Sequence, residues 1–325
     1  MRGDGQSRKA TSLRYYSLKN YFLNRFGGET AKISLDAGLT CPNRDGTLSR
    51  RGCLFCNEIG SGSGASFRGT SLAEQMARGL ERAGRRAERF VAYFQSFTNT
   101  YAPVEVLRRL WETPLSFPGV VGLSVGTRPD CVGEEVLDLL AEFNQRVEVW
   151  LELGLQSASD RTLALLNRGH DAATFARASR RAREKGLKVL AHVILGLPGE
   201  DKQDEAATAR FLVDLGLDGV KIHSLYISKG TGLAELHRRG EFSCQTREEF
   251  ARAAVDFLEL LPPEMVIHRL TGDPEPGALV APDWASGKQE TLNLVREILE
   301  KRDSWQGRGL GAPCRDYSAV WSGRI

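Results

Sequence analysis

Apolar residues in this chain follow two alternating rhythms. Short runs with nearly every position apolar recur at RFVAYFQ (89–95), VVGLSVG (120–126), VEVWLELGL (147–155), LKVLAHVIL (187–195) and DGVKIHSLYI (218–227), and such runs predict strands buried on both faces. Between them apolar residues return at steps of three or four, as at Val132, Val136, Leu139, Leu140 and Phe143. That spacing predicts helices over 104–111, 132–143, 162–166, 174–185 and 201–215. Upstream, Leu13, Tyr16, Asn20 and Leu23 keep helical spacing as far as Gly27-Gly28, and Ala31 to Leu35 alternates as a short first strand. Ser71 and Glu74 make a capping box ahead of Leu72, Met76, Leu80, Ala83 and Ala87, so a helix is expected to about Glu88.

Six β-α units of about 30 to 40 residues each predict a parallel α/β sheet covered by helices. The expected fold is a partial (β/α)6 TIM-like barrel with small N- and C-terminal helical additions; a doubly wound sheet is the alternative that periodicity leaves open. Beyond residue 230 the rhythm changes. A second capping box, Thr246 with Glu249, precedes Phe250, Ala254, Phe257 and Leu261; MVIHRL (265–270) offers a further strand; Leu292, Val295 and Leu299 line a last helix. The expected organisation is a disordered terminus at 1–12, a core barrel at 13–230 and an extension packed on it at 231–325. The tail from Asp303 lacks periodicity and is expected to pack irregularly around its two tryptophans.

Composition narrows the class. With 325 residues, 41% of them hydrophobic, the chain can bury a large core. No run of eighteen apolar residues exists and the start is polar and basic, so the expectation is a cytoplasmic protein without a membrane segment. There the six cysteines serve as thiols or metal ligands rather than bridges. A net charge of +3 demands no polyanionic partner. Two basic stretches stand out, Arg78 to Arg89 and Arg177 to Lys188, each readable as a solvated helix face or as a phosphate-binding surface.

The chemistry-bearing stretch is CPNRDGTLSRRGCLFC, in which Cys41 is followed after eleven residues by Cys53 and then Cys56. Three thiolates on a loop with Pro42, Gly46 and Gly52 suit an iron-sulfur cluster with one iron open. They also suit a zinc site completed by Cys131 or a histidine. In parallel βα folds functional groups gather at the carboxyl ends of strands. Those ends hold Gln95, Ser96, Thr98, Asn99 and Thr100; Thr127 to Asp130; Glu152, Gln156 and Ser157; Gly196 to Glu200; and Ser224, Tyr226 and Lys229. Each alone reads as a turn or cap, and only their joint placement makes a ligand-binding mouth. Glu152 is equally readable as a salt-bridged barrel residue, and His170, His192, His223 and His268 as satisfied core or capping histidines. His192 and His223 lie on successive strands, placed to face the lumen. Cys131 reads as a buried thiol or a hydrogen donor at the mouth.

A three-cysteine loop after the first strand, ending CLFC, resembles the radical S-adenosylmethionine (SAM) superfamily. TRPD (127–130), LELGLQSASD (151–160), RGH (168–170) and ILGLPGE (194–200) are similar to its Elp3-like, coproporphyrinogen-dehydrogenase-like branch. With CPNRDGT (41–47), YFQSFTNTYAP (93–103) and IHRLTGD (267–273), the chain resembles the YhcC/YtqA family over roughly residues 15 to 310. The eleven-residue spacer departs from the three residues usual in the superfamily and agrees with the narrower family.

The resemblance implies that Cys41, Cys53 and Cys56 bind a 4Fe-4S cluster whose fourth iron takes SAM, and that reduction cleaves SAM to a 5′-deoxyadenosyl radical that abstracts hydrogen from substrate. It implies further that Phe55 flanks the adenine and that Glu152 and Gln156 meet the ribose or methionine moiety. Arg168 would reach the SAM carboxylate, and Gly196 would let the adenine lie against backbone. The superfamily's glycine-glycine-glutamate segment after the second strand has no literal match; FQSFTNT stands there, leaving Gln95, Ser96 and Thr98 as substitutes.

As substrate the resemblance implies tRNA, with carboxymethylaminomethyl or a related group on the wobble uridine processed toward aminomethyluridine. An external electron donor of flavodoxin or ferredoxin type is implied with it. The basic stretches, with Arg108, Arg109, Arg302 and Arg308, offer phosphate contacts. A radical SAM oxidase acting on a small molecule such as a porphyrinogen, and a zinc-bearing adaptor without catalysis, are the other readings.

Overall fold

The computed structural model describes residues 13–57, 60, 65 and 69–317. The expected disorder of 1–12, most of the GSGSG stretch and the second tail tryptophan, Trp321, lie outside the described residues.

Seven parallel strands form one sheet: β1 (Thr30–Leu35), β2 (Arg89–Phe94), β3 (Val120–Thr127), β4 (Glu148–Gln156), β5 (Lys188–Leu195), β6 (Gly219–Ser224) and β8 (Val266–Leu270), neighbouring one another in chain order. A doubly wound sheet reverses its strand order at a switch point; this one never reverses. The sheet curls into a half-barrel whose first and last strands do not pair. The candidate strand at 265–270 is therefore the seventh stave. Its free edge receives a parallel bridge from Ser17 to Ile267, and Ile267 N–H donates to the Tyr16 carbonyl at 2.8 Å.

Helices α2 (Leu72–Ala83), α3 (Val104–Leu115), α4 (Glu134–Asn144), α5 (Asp160–Leu165), α6 (Ala172–Glu184) and α7 (Lys202–Asp214) connect successive strands. After β6 the chain makes β7 (Ile227–Ser228), α8 (Gly232–Arg238) and α9 (Arg247–Glu259) before β8; β9 (Leu279–Ala281), antiparallel to β7, and α10 (Lys288–Lys301) follow. Both capping boxes, Ser71 with Glu74 and Thr246 with Glu249, are formed. Two bounds differ from the sequence reading. Helix α2 ends at Ala83 rather than near Glu88. The first helix, α1 (Leu18–Phe26), starts after Ser17, whose hydroxyl accepts from Asn20 N–H, because residues before it run extended beside β8.

Between sheet and helices Trp111, Phe143, Phe175, Phe250 and Phe257 are almost wholly buried in one cluster with the strand residues. Residues before and after 230 share this core. Inside the barrel, at the amino ends of the strands, Tyr21 and Phe22 of α1 pack with Val91, Trp150, Leu190 and Val266 as an apolar plug. Glu148 latches it, accepting from Tyr21 Oη at 2.6 Å, Trp150 Nε1 at 2.8 Å and Arg25 Nε at 2.6 Å. The tail is held through Gln306, which accepts from Tyr16 N–H and donates to the Pro262 and Met265 carbonyls. Trp305 Nε1 donates to the Ala312 carbonyl. The plug fills the amino end of the barrel, and the cavity the cysteines border lies at the carboxyl end.

Candidate functional site

The cysteine loop leaves β1 at that carboxyl end. Its spacer folds back on itself: Leu48 N–H donates to the Pro42 carbonyl and Gly52 N–H to the Asn43 carbonyl, each at 2.8 Å. Gly46 and Gly52 take left-handed backbone at φ +100° and +70°, which the reversal requires. Asn167, itself left-handed at φ +53°, braces the fold by donating to the Gly52 carbonyl at 2.7 Å and receiving Asn43 Nδ2 at 2.6 Å on its own carbonyl. Leu54 is clamped on both sides, its N–H to the Leu166 carbonyl and its carbonyl to Leu233 N–H. The eleven-residue spacer is thus a compact loop that returns Cys53 toward Cys41.

All three cysteines are free thiols bordering one cavity of about 200 Å³. Burial, with the neighbouring Cys53, pushes the Cys56 thiol up to about 11 against the opposing Arg44. Arg168 reaches across from the α5–α6 connection: its Nη1 donates to Cys53 Sγ at 3.1 Å and its Nη2 to the Gly154 carbonyl at 2.7 Å. Gly154 leaves it room, since a Cβ there would stand 3.0 Å from Nη2. Asn43 Nδ2 approaches the same sulfur at 3.4 Å. Arg128 pairs with Asp130 through two hydrogen bonds and donates to the Arg168 carbonyl at 2.7 Å. The sulfurs are not gathered to one point: among the described residues no three Cys, His, Asp or Glu side chains stand at metal-holding distance.

The donor chemistry nevertheless fits a soft metal group. Cysteine thiols ionise when a metal compensates them, and all three border this cavity. Around the cavity Asn43 Oδ1, Arg44 Nε, Thr98 Oγ1, Arg128 Nη1, Arg168 Nε and His223 Nε2 are buried without a hydrogen-bond partner among the described residues. Native interiors leave few such atoms, and six on one cavity mark it as built for a polar ligand.

Of the sequence candidates, Phe55, Gln95, Thr98, Glu152, Gln156 and Arg168 border the cavity with the cysteines. Ser96 and Gly196 do not. Ser96 Oγ is buried without a partner. Gly196, at φ +80°, lies against Gln245, whose Cδ is 2.8 Å from the position a Cβ would take, and its N–H donates to Glu205. Cys131 is also outside the lining; burial pushes its thiol up to about 12. Lys229 turns away and donates to the Gly277 carbonyl.

Deeper lie residues that sequence reasoning missed, Lys32, Tyr93, Ser124, Lys221 and Arg269, together with the already named Glu152 and His192. One from each strand, they form a polar layer above the apolar plug. Glu152 is its hub. It accepts from Lys32 and Ser124 on Oε1, and from His192 at 2.7 Å and Lys221 at 3.4 Å on Oε2. Lys221 also donates to Tyr93 Oη at 2.7 Å. Burial alone would raise the Glu152 carboxyl, but Lys221 and Lys32 outweigh it and hold it well below the usual range. Burial lowers Lys221 to about 7 and, with Lys221, lowers His192 to about 4. The available signal was a lysine inside an otherwise apolar strand, in AKISL and again in GVKIHS.

Comparison with known proteins follows the same lines. Residues 47–212 match the radical SAM superfamily and 217–301 the radical SAM C-terminal domain. Uncharacterized protein YtqA of Bacillus subtilis is 40% identical, the match spanning 92% of this chain and 93% of that protein. The tRNA uridine(34) acetyltransferase of Dehalococcoides mccartyi is 30% identical over 56% of this chain and 39% of its own length. Among solved structures, archaeal Elp3 of Methanocaldococcus infernus superposes with a TM-score of 0.66 at 18% identity, covering 85% of this chain and 64% of that one. A half-barrel open at its carboxyl end, a three-cysteine loop at its mouth and these matches lead to one assignment: the chain belongs to the radical SAM superfamily, within its Elp3-like branch and the YhcC/YtqA family.

Proposed function

We propose that this radical SAM enzyme holds a 4Fe-4S cluster on Cys41, Cys53 and Cys56 and acts on the wobble uridine of tRNA, processing a carboxymethylaminomethyl-type group toward aminomethyluridine. The observation that carries the site is the set of six unpartnered buried polar atoms around the cavity the cysteines border. When bound, the cluster supplies the electron that cleaves SAM and so begins hydrogen abstraction. The chain's share is placement and exclusion of water. Arg168 and Asn43 direct N–H donors at the Cys53 sulfur, Thr98 and Arg128 offer free polar atoms to SAM, and Phe55 and Ile194 give the wall an apolar surface. Tyr21, Phe22 and Trp150 seal the far end.

Support for tRNA comes from the relative that acts on tRNA uridine(34) and from the distribution of exposed arginine. Part of the second basic stretch is engaged by neighbouring carboxylates: Arg181 and Lys185 pair with Glu134, Lys185 also with Asp138, and Arg183 reaches Asp218, while Arg177 and Arg180 form no ion pair among the described residues. Arg108 and Arg302 are likewise engaged, with Glu142 and with Asp256 and Glu259. Arg50 and Arg51 on the cysteine loop, and Arg82, Arg85 and Arg86 at the end of α2, are exposed and form no ion pair among the described residues. These five are the phosphate contacts we assign.

Three measurements test this reading. Anaerobically reconstituted protein should show iron-sulfur absorbance that Cys53→Ala removes, and with dithionite and SAM it should release 5′-deoxyadenosine. Mass spectrometry of tRNA nucleosides from a deletion strain should show the wobble-uridine profile altered; an unchanged profile would refute the tRNA assignment.

A further inference from the structure

The polar layer carries a charge imbalance that Glu152 does not resolve. Glu152, whose side chain has no exposure at all, pairs with Lys32 and Lys221, and Arg269 lies in register beside Lys221 on the next strand. The four donors already on its oxygens leave it little capacity for more. Asp273 stands 3.7 Å from Arg269, but it is half exposed and is shared with Lys288 at 3.3 Å. Above the layer His223, stacked on His192 with ring centroids 5.5 Å apart, borders the cavity with Nε2 buried and unpartnered. Lys221 and Arg269 border it too, on adjacent strands in direct register. Lys221, which burial brings down to about 7, and the part-buried Arg269 would both be favoured by an anion joining them beside a free polar nitrogen.

We propose that the barrel floor seats an anionic group of the substrate, a carboxylate or a phosphate, between Lys221, Arg269 and His223. The proposal rests on the reading above in taking the cavity as the substrate's. The floor is distinct from the cysteine mouth, where Arg128 and Arg168 already hold Asp130, Cys53 and backbone carbonyls. The anion has two sources in a modified RNA: a carboxylate carried by the base, or a backbone phosphate.

The test uses reconstituted full-length protein and anticodon stem-loops whose wobble uridine carries carboxymethylaminomethyl, aminomethyl or no group. A base carboxylate at the floor makes the first bind about tenfold or more tighter than the second, and Lys221→Met and Arg269→Gln each abolish that preference. A backbone phosphate instead makes all three bind alike and lose about tenfold in both variants. Either result supports the seat. Unaltered affinities and preference in both variants overturn it, and so does a loss of SAM affinity matching the loss for RNA, which would assign the cations to the cofactor. If no stem-loop binds wild type, the tRNA reading falls, and millimolar acetate and phosphate decide the seat. A rise in unfolding temperature that both variants lose upholds it; no rise overturns it. Far-UV circular dichroism checks that each variant is folded.

Discussion

Arg168 Nη1 lies 3.1 Å from Cys53 Sγ, so a guanidinium from the middle of the chain is hydrogen-bonded to a thiol from its first fifth. Donors to a ligating sulfur tune a cluster from outside its ligand set. Arg168→Met is expected to lower cluster retention or activity by about 10–100-fold and to make the reduction potential more negative. Iron and sulfide content, with an anaerobic redox titration, check this; a wild-type potential would show that the contact does not tune the cluster.

Gly154 gives an independent handle on the same contact. A Cβ there would stand 2.9 Å from Gln156 Nε2 and 3.0 Å from Arg168 Nη2, both flexible ends. Gly154→Ala is therefore expected to cost less than about 1 kcal/mol of stability while displacing Arg168 and reducing 5′-deoxyadenosine release. Denaturant unfolding and the rate assay separate the two effects. A large stability loss would mean that the strand, rather than Arg168, needs the glycine.

Glu152→Gln removes the one carboxylate shared by Lys32 and Lys221, whose side chains are 18% and 6% exposed. Leaving buried charges unpaired costs about 3–5 kcal/mol. The double variant Glu152→Gln with Lys221→Met should recover part of that loss, because one unpaired cation goes with it. Urea midpoints of the single and double variants give the coupling; additive losses would contradict it.

Acid sensitivity follows from the buried imidazoles. Burial lowers His192 to about 4, and His223 and His268 well below the ordinary range. Between about pH 6.5 and 4 the unfolded chain binds these protons and the folded chain does not, so stability falls as pH falls through that window. Glu205, raised to about 7 by burial, opposes by one proton between its unfolded value and 7. Each net proton contributes about 1.4 kcal/mol per pH unit. His268, with both ring nitrogens buried and unpartnered against Trp150 at 4.5 Å, is the clearest case. His268→Phe should flatten the slope by about one proton in urea unfolding between pH 7 and 5; an unchanged slope would rule His268 out as a contributor.

What the sequence disclosed was what local rules govern. The capping boxes at Ser71 and Thr246, the apolar strands and the three-cysteine loop each depend on residues close in the chain, and each stands where it was expected. Strand order settled what periodicity left open, because the choice between barrel and doubly wound sheet is one of pairing. Lys32, Lys221 and Arg269 were missed since a charge on a strand reads as solvent-facing until the curl of the sheet places it inside. Gly196 was read as a cofactor surface, whereas Gln245 from beyond α8 covers it. The three strand histidines, His170 and the cavity-mouth residues could be named but not sorted: His268 proved unpartnered among the described residues rather than satisfied. The division at residue 230 followed a change of rhythm, yet β8 from beyond it pairs with β6.

The clamp on Leu54 has a consequence for the order in which the enzyme is made. Its second hydrogen bond comes from Leu233, and its first from Leu166. A ribosome that has delivered Cys56 must still translate as far as Leu166 before the first brace exists and as far as Leu233 before the second, although each barrel strand can dock on the one before it as it emerges. The cysteine loop is therefore the earliest part of the site to appear and among the last to be fixed. A nascent chain stalled before Leu233 should be nicked by protease between Cys41 and Cys56 where the finished protein resists; equal resistance would show that the loop sets without its clamp.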